Sequence, residues 1–563
     1  MRITNGIMNE NAKNNITINK KYSDRLNTQV ATGQKITRPS DDPVIAIRAL
    51  RLNSNISELN QYYEKNIPDA ESWLATTETA LDQTNTVLEN IRANLTTGAS
   101  DDNTASDRMT ILENLSALRQ QIYNAGNADY AGRTVFTGFR TGESLTFMET
   151  STHLRYQLTE NFTFEDVSSF NYVSGDFEVN KAEILGSGYD PSAHKEQTIS
   201  NTQVFRVRLA YDKLSYPQID AEGNAYTPVI NVTYKDGTDT ITPTVRSIDE
   251  NDKDKIYTEV GDDDVYLIPE TGELILGKNV AKKLEADGVK FNIEYCKDSF
   301  ERGDLRPEHY FACKSLDTSD ANAKVISYNY SDKYEKTTDT SPQSGKTYYT
   351  RSGEEGSYVY KPFEGNSFAS GTDYYVINGT EPDFQRQKIT YEVAFNQQLE
   401  INTNACDVFT HDIGRDVDEL IKVTKAVLDI EDKIGTLTSM KNESTVNDTD
   451  KKNIEVLLTA ATKEFDYLKE NMQKYFSEAI TSFTAYSDQL NLENSAAGSK
   501  SQRLALTKER VSEQRQNFKE LADSNINVDL TDVAIDLKSA QVALEAAQSA
   551  TAKLVKQSLL NYI

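Results

Sequence analysis

The sequence predicts an α+β protein in which long terminal helices form coiled-coil and helical rod domains, with a β-rich surface region inserted between them. Apolar residues recur at helical spacing over residues 44–95 and again from residue 412 onward. Residues 133–404 instead carry short alternating runs rich in Tyr, Thr and Val, which are typical of strands. The helical stretch 44–95 would measure about 80 Å at about 1.5 Å per residue, a length that no single compact core covers.

The first 38 residues or so carry a weak helical pattern. Ile18, Tyr22 and Leu26 contribute to a sparse apolar stripe, while numerous Asn residues lower the intrinsic helix propensity of the segment. Such a helix is marginal in isolation. The segment is therefore a candidate partner for the C-terminal helix.

Residues 33–43 carry a signal that one helix ends and another begins. Asp42 is well placed as an N-cap, and Pro43 then occupies the first helical position, where its missing N–H costs nothing. For the acidic pair Asp41 and Asp42, capping is favoured over metal binding.

Two heptad runs follow, and they are out of phase by one residue. The first is Leu52, Ile56, Leu59 and Tyr63, and the second is Ile67, Ala70, Leu74, Thr77, Leu81, Thr84, Leu88, Ile91 and Leu95. Pro68 lies where the runs meet, and proline lacks the N–H that a helix interior requires. We predict a kink or a break there. A second helix is predicted from about residue 104 to about residue 125.

The middle of the chain switches to strand patterns, and its clearest hairpin signal lies at residues 266–276. We divide this region into a first β-rich surface domain, residues 133–320, and a second, residues 321–404. The odd number of cysteines and their spacing indicate neither a disulfide framework nor a zinc site. We favour buried thiols over a bridge between Cys296 and Cys313.

Helical periodicity returns after residue 412, with separate helical stretches around residues 420–434, 457–483 and from about 495 into the 520s. A hinge at residues 525–529 precedes the terminal segment. This segment carries a heptad seam, meaning apolar or small residues at alternating spacings of four and three. Its members are Val533, Leu537, Ala540, Leu544, Ala547, Thr551, Leu554 and Ser558. A helix this apolar has no local core, so it must pack against a distant part of its own chain, another chain, or both.

Composition and motifs argue against several classes of function. The formal net charge is −27 and no basic cluster occurs, which argues against a nucleic-acid partner. No segment reaches the length of a membrane span, so no membrane partner is expected. The four histidines lack metal-ligand spacing, and no phosphate-binding glycine loop or nucleophile motif occurs. We predict neither an enzyme nor a bound metal or cofactor.

The helical ends resemble the bacterial flagellin superfamily. The resemblance is carried by Arg25-Leu26 followed by Thr32-Gly33-Gln34-Lys35-Ile36, by Asp41-Asp42, and by Ala75-Thr76-Thr77-Glu78-Thr79-Ala80-Leu81. Further details are similar to the junction members of that superfamily: Met1-Arg2-Ile3-Thr4, Pro39-Ser40-Asp41-Asp42-Pro43, Gly132-Arg133-Thr134-Val135-Phe136-Thr137-Gly138 and Ser558-Leu559-Leu560-Asn561-Tyr562-Ile563. The resemblance covers about 150 residues at each end and leaves out the β-rich middle.

The resemblance implies a structural component of the extracellular flagellum, exported through the flagellar type III apparatus without a cleaved signal peptide. Residues 1–42 and 526–563 would form the two halves of an axial coiled-coil domain. Residues 43–132 and 405–525 would form the two halves of a helical rod domain. The implied partners are other copies of the chain in a ring, the preceding hook-associated protein, flagellin and an export chaperone.

We expect assembly to depend on Val533, Leu537, Ala540, Leu544, Ala547 and Leu554 in the terminal helix and on Ile18, Tyr22 and Leu26 near the front. The function implied by the resemblance is that of a junction protein connecting hook to filament. One alternative is a filament flagellin with a large surface insert. A less favoured alternative is a surface adhesin or glycan binder mounted on a flagellin-like rod.

Overall fold

A computed structural model of the chain describes residues 5–186, 188–221, 223–234, 237–248, 253–320, 322–328, 334–338, 347–351, 363–364, 367–368, 388–444 and 446–560. Long helices and several sheets occur together, so the predicted α+β class is confirmed. The chain divides into two compact units. Unit 1 contains residues 1–71, 391–399 and 502–563, and unit 2 contains residues 72–390 and 400–501.

The helices are α1 Asn5–Thr32, α2 Pro43–Gln61, α3 Ile67–Gly98, α4 Ala105–Arg119, α5 Lys181–Ile184, α6 Lys253–Thr258, α7 Lys278–Leu284, α8 His411–Asn442, α9 Asp448–Ile526 and α10 Leu530–Leu560. A π-helix, Tyr62–Asn66, lies between α2 and α3. The two separate stretches predicted around residues 457–483 and beyond residue 495 belong to one helix, because α9 is 79 residues long. Over the ranges that the structure describes, no helix is long and apolar enough to cross a membrane.

The strands are β1 Asp129–Tyr130, β2 Arg133–Thr134, β3 Leu154–Thr163, β4 Val167–Ser174, β5 Ser200–Arg208, β6 Ile230–Tyr234, β7 Gly237–Ile241, β8 Thr244–Val245, β9 Val265–Ile268, β10 Glu273–Leu276, β11 Lys290–Lys297, β12 Ala312–Asp317, β13 Ile326–Tyr328, β14 Tyr334–Thr338, β15 Thr347–Arg351, β16 Phe363–Glu364, β17 Ser367–Phe368, β18 Thr390–Ala394 and β19 Gln397–Glu400. One sheet has the order β13-β12-β3-β11-β6-β7, and another has the order β4-β5-β10-β9-β8. The remaining strands form two-stranded sheets. Much of the predicted second β-rich domain, residues 321–404, lies outside the described residues, and the predicted six-segment division stays a prediction.

Of the kink or break predicted at Pro68, the break is wrong, because α2, the π-helix and α3 follow one another without interruption. In the π-helix the Ile67 N–H donates to the Tyr62 carbonyl, five residues back. A π-turn adds one residue to a helical turn, and this extra residue accounts for the one-residue phase shift between the two heptad runs. Pro68 follows as the second residue of α3. Two residues before Pro68, the Asn66 side chain donates to the Glu392 carbonyl of β18 at 2.8 Å, a contact within unit 1.

The core of unit 2 is shared by the two larger sheets. Apolar side chains of β3, β6 and β11 pack with those of β5, β9, β10 and α7. Aromatic members of this core include Tyr156, Phe291 and Tyr295 on the strands and Phe147 and Phe300 on connecting segments. The five-stranded sheet also buries its second face. Leu267 and Leu274 face the shared core, whereas Ile268 and Ile275 join a second cluster with residues of α6. Every side chain of β9 and β10 is buried, and all of them except Glu273 are apolar or aromatic, so both faces of these strands are covered.

The predicted hairpin at residues 266–276 is confirmed as the antiparallel pair β9 and β10. Its turn depends on Gly272, which has a φ of +61°. A Cβ at this position would stand 1.9 Å from the Tyr211 carbonyl oxygen, so glycine is required both by the backbone conformation and by the close approach.

The cysteines are thiols, as favoured from the sequence, and the sheet register explains why Cys296 and Cys313 cannot bridge. Both lie on strands that flank β3, where Cys296 is opposite Gln157 and Cys313 is opposite Leu158. Successive residues of a strand face opposite sides of a sheet. The two thiols therefore lie on opposite faces. Both are buried, and burial raises the pKa of Cys296 to about 12.

Buried ion pairs attach the five-stranded sheet to α8. Arg206 on β5 pairs with Glu273 on β10 and with Glu419 on α8, where Nη1 and Oε2 are 3.3 Å apart. Arg208 on the same strand pairs with Asp416 on α8. Burial alone would raise the pKa of Glu419, but the combined charges of Arg206, Lys422, Arg208 and Arg415 outweigh it and lower that pKa to about 2. Because removing one partner of a buried pair leaves an unpaired charge, these pairs specify how the sheet sits on the helix.

The pKa of a second buried carboxyl group in unit 2 is shifted in the opposite direction, upward. Glu464 on α9 is buried beside Lys433 of α8, whose Nζ lies 3.4 Å from Oε2 and also pairs with Asp176. Burial raises the pKa of Glu464 to about 7, and Lys433 offsets the effect only in part. The folded state therefore binds this proton more tightly than the unfolded state does.

We expect the Cys296 and Cys313 thiols to resist modification in the folded protein. At pH 8 a thiol with a pKa of about 12 is almost entirely protonated, and the thiolate is the reactive form. A thiol-reactive chromophore at pH 8 should therefore detect neither before unfolding, and all three cysteines in guanidinium chloride. Rapid reaction of a Cys296→Ser, Cys406→Ser double variant, in which only Cys313 is left, would contradict this.

We expect Glu464→Gln to stabilise unit 2 at alkaline pH. Because the folded-state pKa is raised, ionisation of Glu464 between about pH 5 and pH 8 works against folding, and the variant avoids this. Its free energy of unfolding should exceed that of wild type by about 1–3 kcal/mol at pH 8, and the difference should vanish near pH 4.5. Urea titrations followed by the fluorescence of Trp73, the single tryptophan and a buried residue of unit 2, measure this. A less stable variant at pH 8 would show that the Glu464–Lys433 pair is net stabilising.

Candidate functional site

Two connecting segments of unit 1 bring the chain ends together. The Lys35 N–H, just beyond α1, donates to the Ile526 carbonyl at 2.7 Å. The Val528 N–H, just before α10, donates to the Gly33 carbonyl at 3.0 Å. Gly33 has a φ of +71°, a conformation that glycine adopts without strain. Since α1 ends where α10 begins, the two helices pack against each other in antiparallel orientation. The predicted hinge at residues 525–529 contains this connection.

α10 presents the predicted heptad seam to α1. Val533 and Ala540 are buried, and they form one apolar cluster with Leu26 of α1 and with the half-buried Leu537. Leu544, Ala547 and Thr551 continue the seam as half-buried side chains, and every other side chain from residue 530 to residue 553 is exposed. The side chain of Leu554 lies outside the described residues.

On α1 the face toward α10 differs in part from the prediction. Leu26 is buried there, as expected, but Ile18 is 62% exposed and Tyr22 is 48% exposed. The assignment of Ile18 and Tyr22 to the pairing with α10 is therefore corrected. The buried and half-buried positions of α1 are instead Ala12, Ile16, Asn19, Ser23, Leu26 and Gln29.

Sequence reasoning missed this face because three of its six members, Asn19, Ser23 and Gln29, are polar. Ala12, Ile16, Asn19, Ser23 and Leu26 follow the same alternation of four and three as the seam of α10. A search for large apolar residues passes over Asn19 and Ser23. A search for small residues at heptad spacing would have found them, because small side chains allow two helices to approach closely.

The acidic pair before α2 caps backbone groups, as predicted. The Asp42 carboxylate accepts the Val44 N–H at 3.0 Å, and Pro43 is the first residue of the helix. The Asp41 carboxylate accepts the Arg38 N–H at 2.9 Å. This backbone hydrogen bond is the main reason that the pKa of Asp41 lies below its usual value. Both carboxylates are therefore occupied by the local turn.

Unit 1 carries most of the exposed large apolar side chains in the described part of the chain. They are Ile7, Met8, Ile18, Tyr22 and Val30 on α1, Val44, Ile47 and Leu50 on α2, Leu506 and Leu521 on α9, and Leu530, Ile535 and Val542 on α10. At about 100° per residue, Ile535 and Val542 lie on the face of α10 opposite the seam. The α1–α10 pair therefore buries its seam on one side and exposes apolar side chains on its other sides.

The exposed apolar side chains of unit 1 suit association with another molecule more than they suit catalysis. Exposed apolar surface of this kind marks an interaction site. Across the ranges given above, no group of three or more His, Cys, Asp or Glu side chains is placed to hold a metal ion. The candidate site is therefore an assembly surface made of the paired terminal helices and the exposed faces beside them.

Comparison with known proteins finds similarity to flagellar proteins. Residues 3–141 match the family model of the bacterial flagellin N-terminal helical region. The chain is 29% identical over 142 residues to flagellar hook-associated protein 3 of Salmonella typhimurium, covering 25% of this chain and 44% of that protein. It is 27% identical over 150 residues to flagellar hook-associated protein 3 of Escherichia coli, covering 26% of this chain and 47% of that protein.

A filament protein is similar over a comparable stretch. The chain is 26% identical over 143 residues to the flagellin of Clostridium tyrobutyricum, covering 25% of this chain and 38% of that protein. The chain thus spans less than half the length of each of these curated relatives. The resemblance of the N-terminal motifs to the bacterial flagellin superfamily is confirmed, because residues 3–141 match the model of the flagellin N-terminal helical region.

Proposed function

We propose that this chain is a structural subunit of the bacterial flagellum, and that it is the junction protein connecting hook to filament. The observation that carries the proposal is the antiparallel pair α1 and α10, which buries one heptad seam and leaves apolar faces exposed. Exposed apolar faces of this kind are stabilised when another chain covers them and removes them from water. The similarity to two proteins named flagellar hook-associated protein 3 supports the junction assignment over other flagellar roles.

Under this proposal the terminal segments 1–42 and 526–563 form an axial coiled-coil domain, and residues 43–132 and 405–525 form a helical rod domain. The β-rich segments 133–320 and 321–404 are surface domains. Copies of the chain form a ring that contacts the preceding hook-associated protein on one side and flagellin on the other. The chain reaches the extracellular flagellum by export without a cleaved signal peptide, and an export chaperone covers its apolar helices beforehand. The role is structural and needs no catalytic group.

A filament flagellin with a large surface insert is the second candidate. The similarity to the Clostridium tyrobutyricum flagellin favours it, because that match covers 143 residues, against 142 and 150 for the two hook-associated proteins. The two candidates differ in abundance, since a junction ring contributes few subunits to a flagellum and a filament contributes most of them.

We expect this chain to be a minor component of isolated flagella. Quantitative mass spectrometry of sheared flagella should find it at a small fraction of the main filament protein and enriched in fragments that retain the hook. A dominant share would favour the filament candidate. Its complete absence from flagella, in cells that express it, would refute both flagellar candidates and leave the adhesin alternative.

We expect Leu537→Asp to abolish junction assembly without unfolding unit 2. Leu537 is half-buried in the cluster with Leu26 and Val533, so a charge there should cost less than the about 2–5 kcal/mol of truncating a fully buried leucine and still weaken the pair. That cost falls on the α1–α10 pair, so the unfolding transition of Trp73 in unit 2 should not move. Flagella of the variant should have hooks without filaments, with flagellin released into the medium.

The matched control is Gln541→Asp, which makes the same charge change at an exposed position one turn further along α10. It should assemble normally. Normal filaments in Leu537→Asp cells would show that the seam is dispensable, whereas failure of both variants would point to helix propensity or export in place of the seam.

A further inference from the structure

We propose that the β18–β19 hairpin, residues 390–400, is a latch that holds the helix of unit 1 in one register. This helix runs from α2 through the π-helix into the start of α3, residues 67–71, and the latch acts at the π-helix. Its register is the rotation of α2 about the helix axis relative to the start of α3. The inference goes beyond the proposed function, because it concerns how the candidate assembly surface is held and not what the surface binds.

The latch is a hairpin that packs as part of unit 1. Two residues, Phe395 and Asn396, connect its strands, and Asn396 has a φ of +53°, which asparagine tolerates in tight turns. Residues 391–399 belong to unit 1, whereas the chain on either side of them belongs to unit 2. The buried apolar side chains of the hairpin are Val393, Ala394 and Leu399.

The hairpin contacts the π-helix directly. The Asn66 side chain donates to the Glu392 carbonyl at 2.8 Å. The rings of Tyr62 and Phe395 meet edge to face, with their centroids 5.8 Å apart. Tyr62 and Asn66 are the first and last residues of the π-helix, so the hairpin holds both ends of the turn that contains the extra residue.

Further contacts join the hairpin to the two neighbouring helices of unit 1. The Tyr391 hydroxyl donates to the Asp69 carboxylate of α3. The Gln397 side chain donates to the Thr507 hydroxyl of α9 at 3.4 Å and accepts a hydrogen bond from Arg510. The hairpin is therefore fixed to α9 as well as to the helix that it latches.

The π-turn decides which side chains of the latched helix are buried. Leu59 and Ile67 are both fully buried, although they are eight positions apart. In a regular α-helix, eight residues advance about 80° beyond two full turns, which would turn one of these side chains away from the core. The extra residue of the π-turn brings the two back to within about 20° of each other. Because π-turns are rare, this one depends on contacts from outside the helix.

The contact with α9 on the other side of the π-helix is too exposed to hold the register alone. Arg515 pairs with Glu64 at 2.9 Å, and its guanidinium lies 4.3 Å from the centroid of the Tyr63 ring. The Glu64 side chain is 61% exposed, and ion pairs as exposed as this contribute little stability. The hairpin, which has buried apolar side chains, is the stronger support.

The register determines where the outer face of α2 points. If the π-turn relaxed to a regular α-helix, α2 would rotate by roughly 100°, the angle of one residue. The exposed apolar side chains Val44, Ile47 and Leu50 would then face a different direction. The latch therefore orients an apolar face that belongs to the candidate assembly surface.

Hydrogen exchange of the purified full-length chain, followed by mass spectrometry, tests the latch. We expect Tyr391→Phe with Phe395→Ala to speed amide exchange in residues 59–67 about tenfold, because an aromatic contact and a hydrogen bond to a carboxylate are lost. Peptides from the β9–β10 hairpin of unit 2 should exchange as in wild type, which shows that the rest of the fold is intact. Unchanged exchange in residues 59–67 would overturn the latch.

Deletion of Lys65 distinguishes a latch that sets the register from a simple support. Lys65 is exposed, and its removal takes the extra residue out of the π-turn, so a regular α-helix then keeps Leu59 and Ile67 on one side. In this background the same two substitutions should change exchange by less than about threefold, because no π-turn has to be held. An equal effect in both backgrounds would show that the hairpin supports the helix without setting its register, and the proposal would fail.

The matched control is Gln398→Ala, at an exposed position of β19. It should leave exchange in residues 59–67 within about twofold of wild type. A tenfold increase in this control would assign the effect to loss of the hairpin as a whole and overturn the latch. Since every measurement is made on the purified chain, failure of the latch leaves the junction role in place, and failure of the junction role leaves the latch in place.

Discussion

The antiparallel contact between α1 and α10 is the interaction on which unit 1 depends. It joins parts of the chain that are far apart in sequence, since Leu26 of α1 packs with Val533 and Ala540 of α10. The entropy of closing so long a loop rises only slowly with its length, so a modest seam can close it. The seam is modest, because its buried apolar members are Leu26, Val533 and Ala540. A pair of helices held by so little apolar area gains most of its further stability from whatever covers its outer faces.

Unit 2 follows the opposite rule and buries its large apolar residues. Its five-stranded sheet is covered on both faces, and Gly272 allows the hairpin of β9 and β10 to lie against the Tyr211 backbone. Arg206 and Arg208 then tie the sheet to α8 through buried ion pairs. Buried pairs of this kind contribute less to net stability than to the choice of one packing arrangement. The β-rich region and the helices of unit 2 are therefore held in one specified arrangement.

Charge is used differently inside and outside the helices. Lys508 and Arg515 on α9 are bound to Glu71 and Glu64 of unit 1, so the inner face of α9 is neutralised within the chain. The acidic excess that gives the chain its charge of −27 then lies largely on solvent-facing surfaces. A net charge this far from zero opposes non-specific association of the chain with itself.

The sequence alone determined the elements that rest on local periodicity. The seam of α10 from Val533 to Ala547, the cap at Asp42, the β9–β10 hairpin and the α+β class were all predicted, because heptads, caps and turns are written in neighbouring residues. The sequence also contained the one-residue phase shift between the two heptad runs near Pro68. We interpreted this shift as a kink or a break, whereas a π-helix accommodates it. The tertiary structure alone decided which face of α1 meets α10. Asn19 and Ser23 lie in that interface, whereas the larger apolar Ile18 and Tyr22 remain exposed. The two helices pack closely through small side chains, so side-chain size and not hydrophobicity decides which face of α1 is buried.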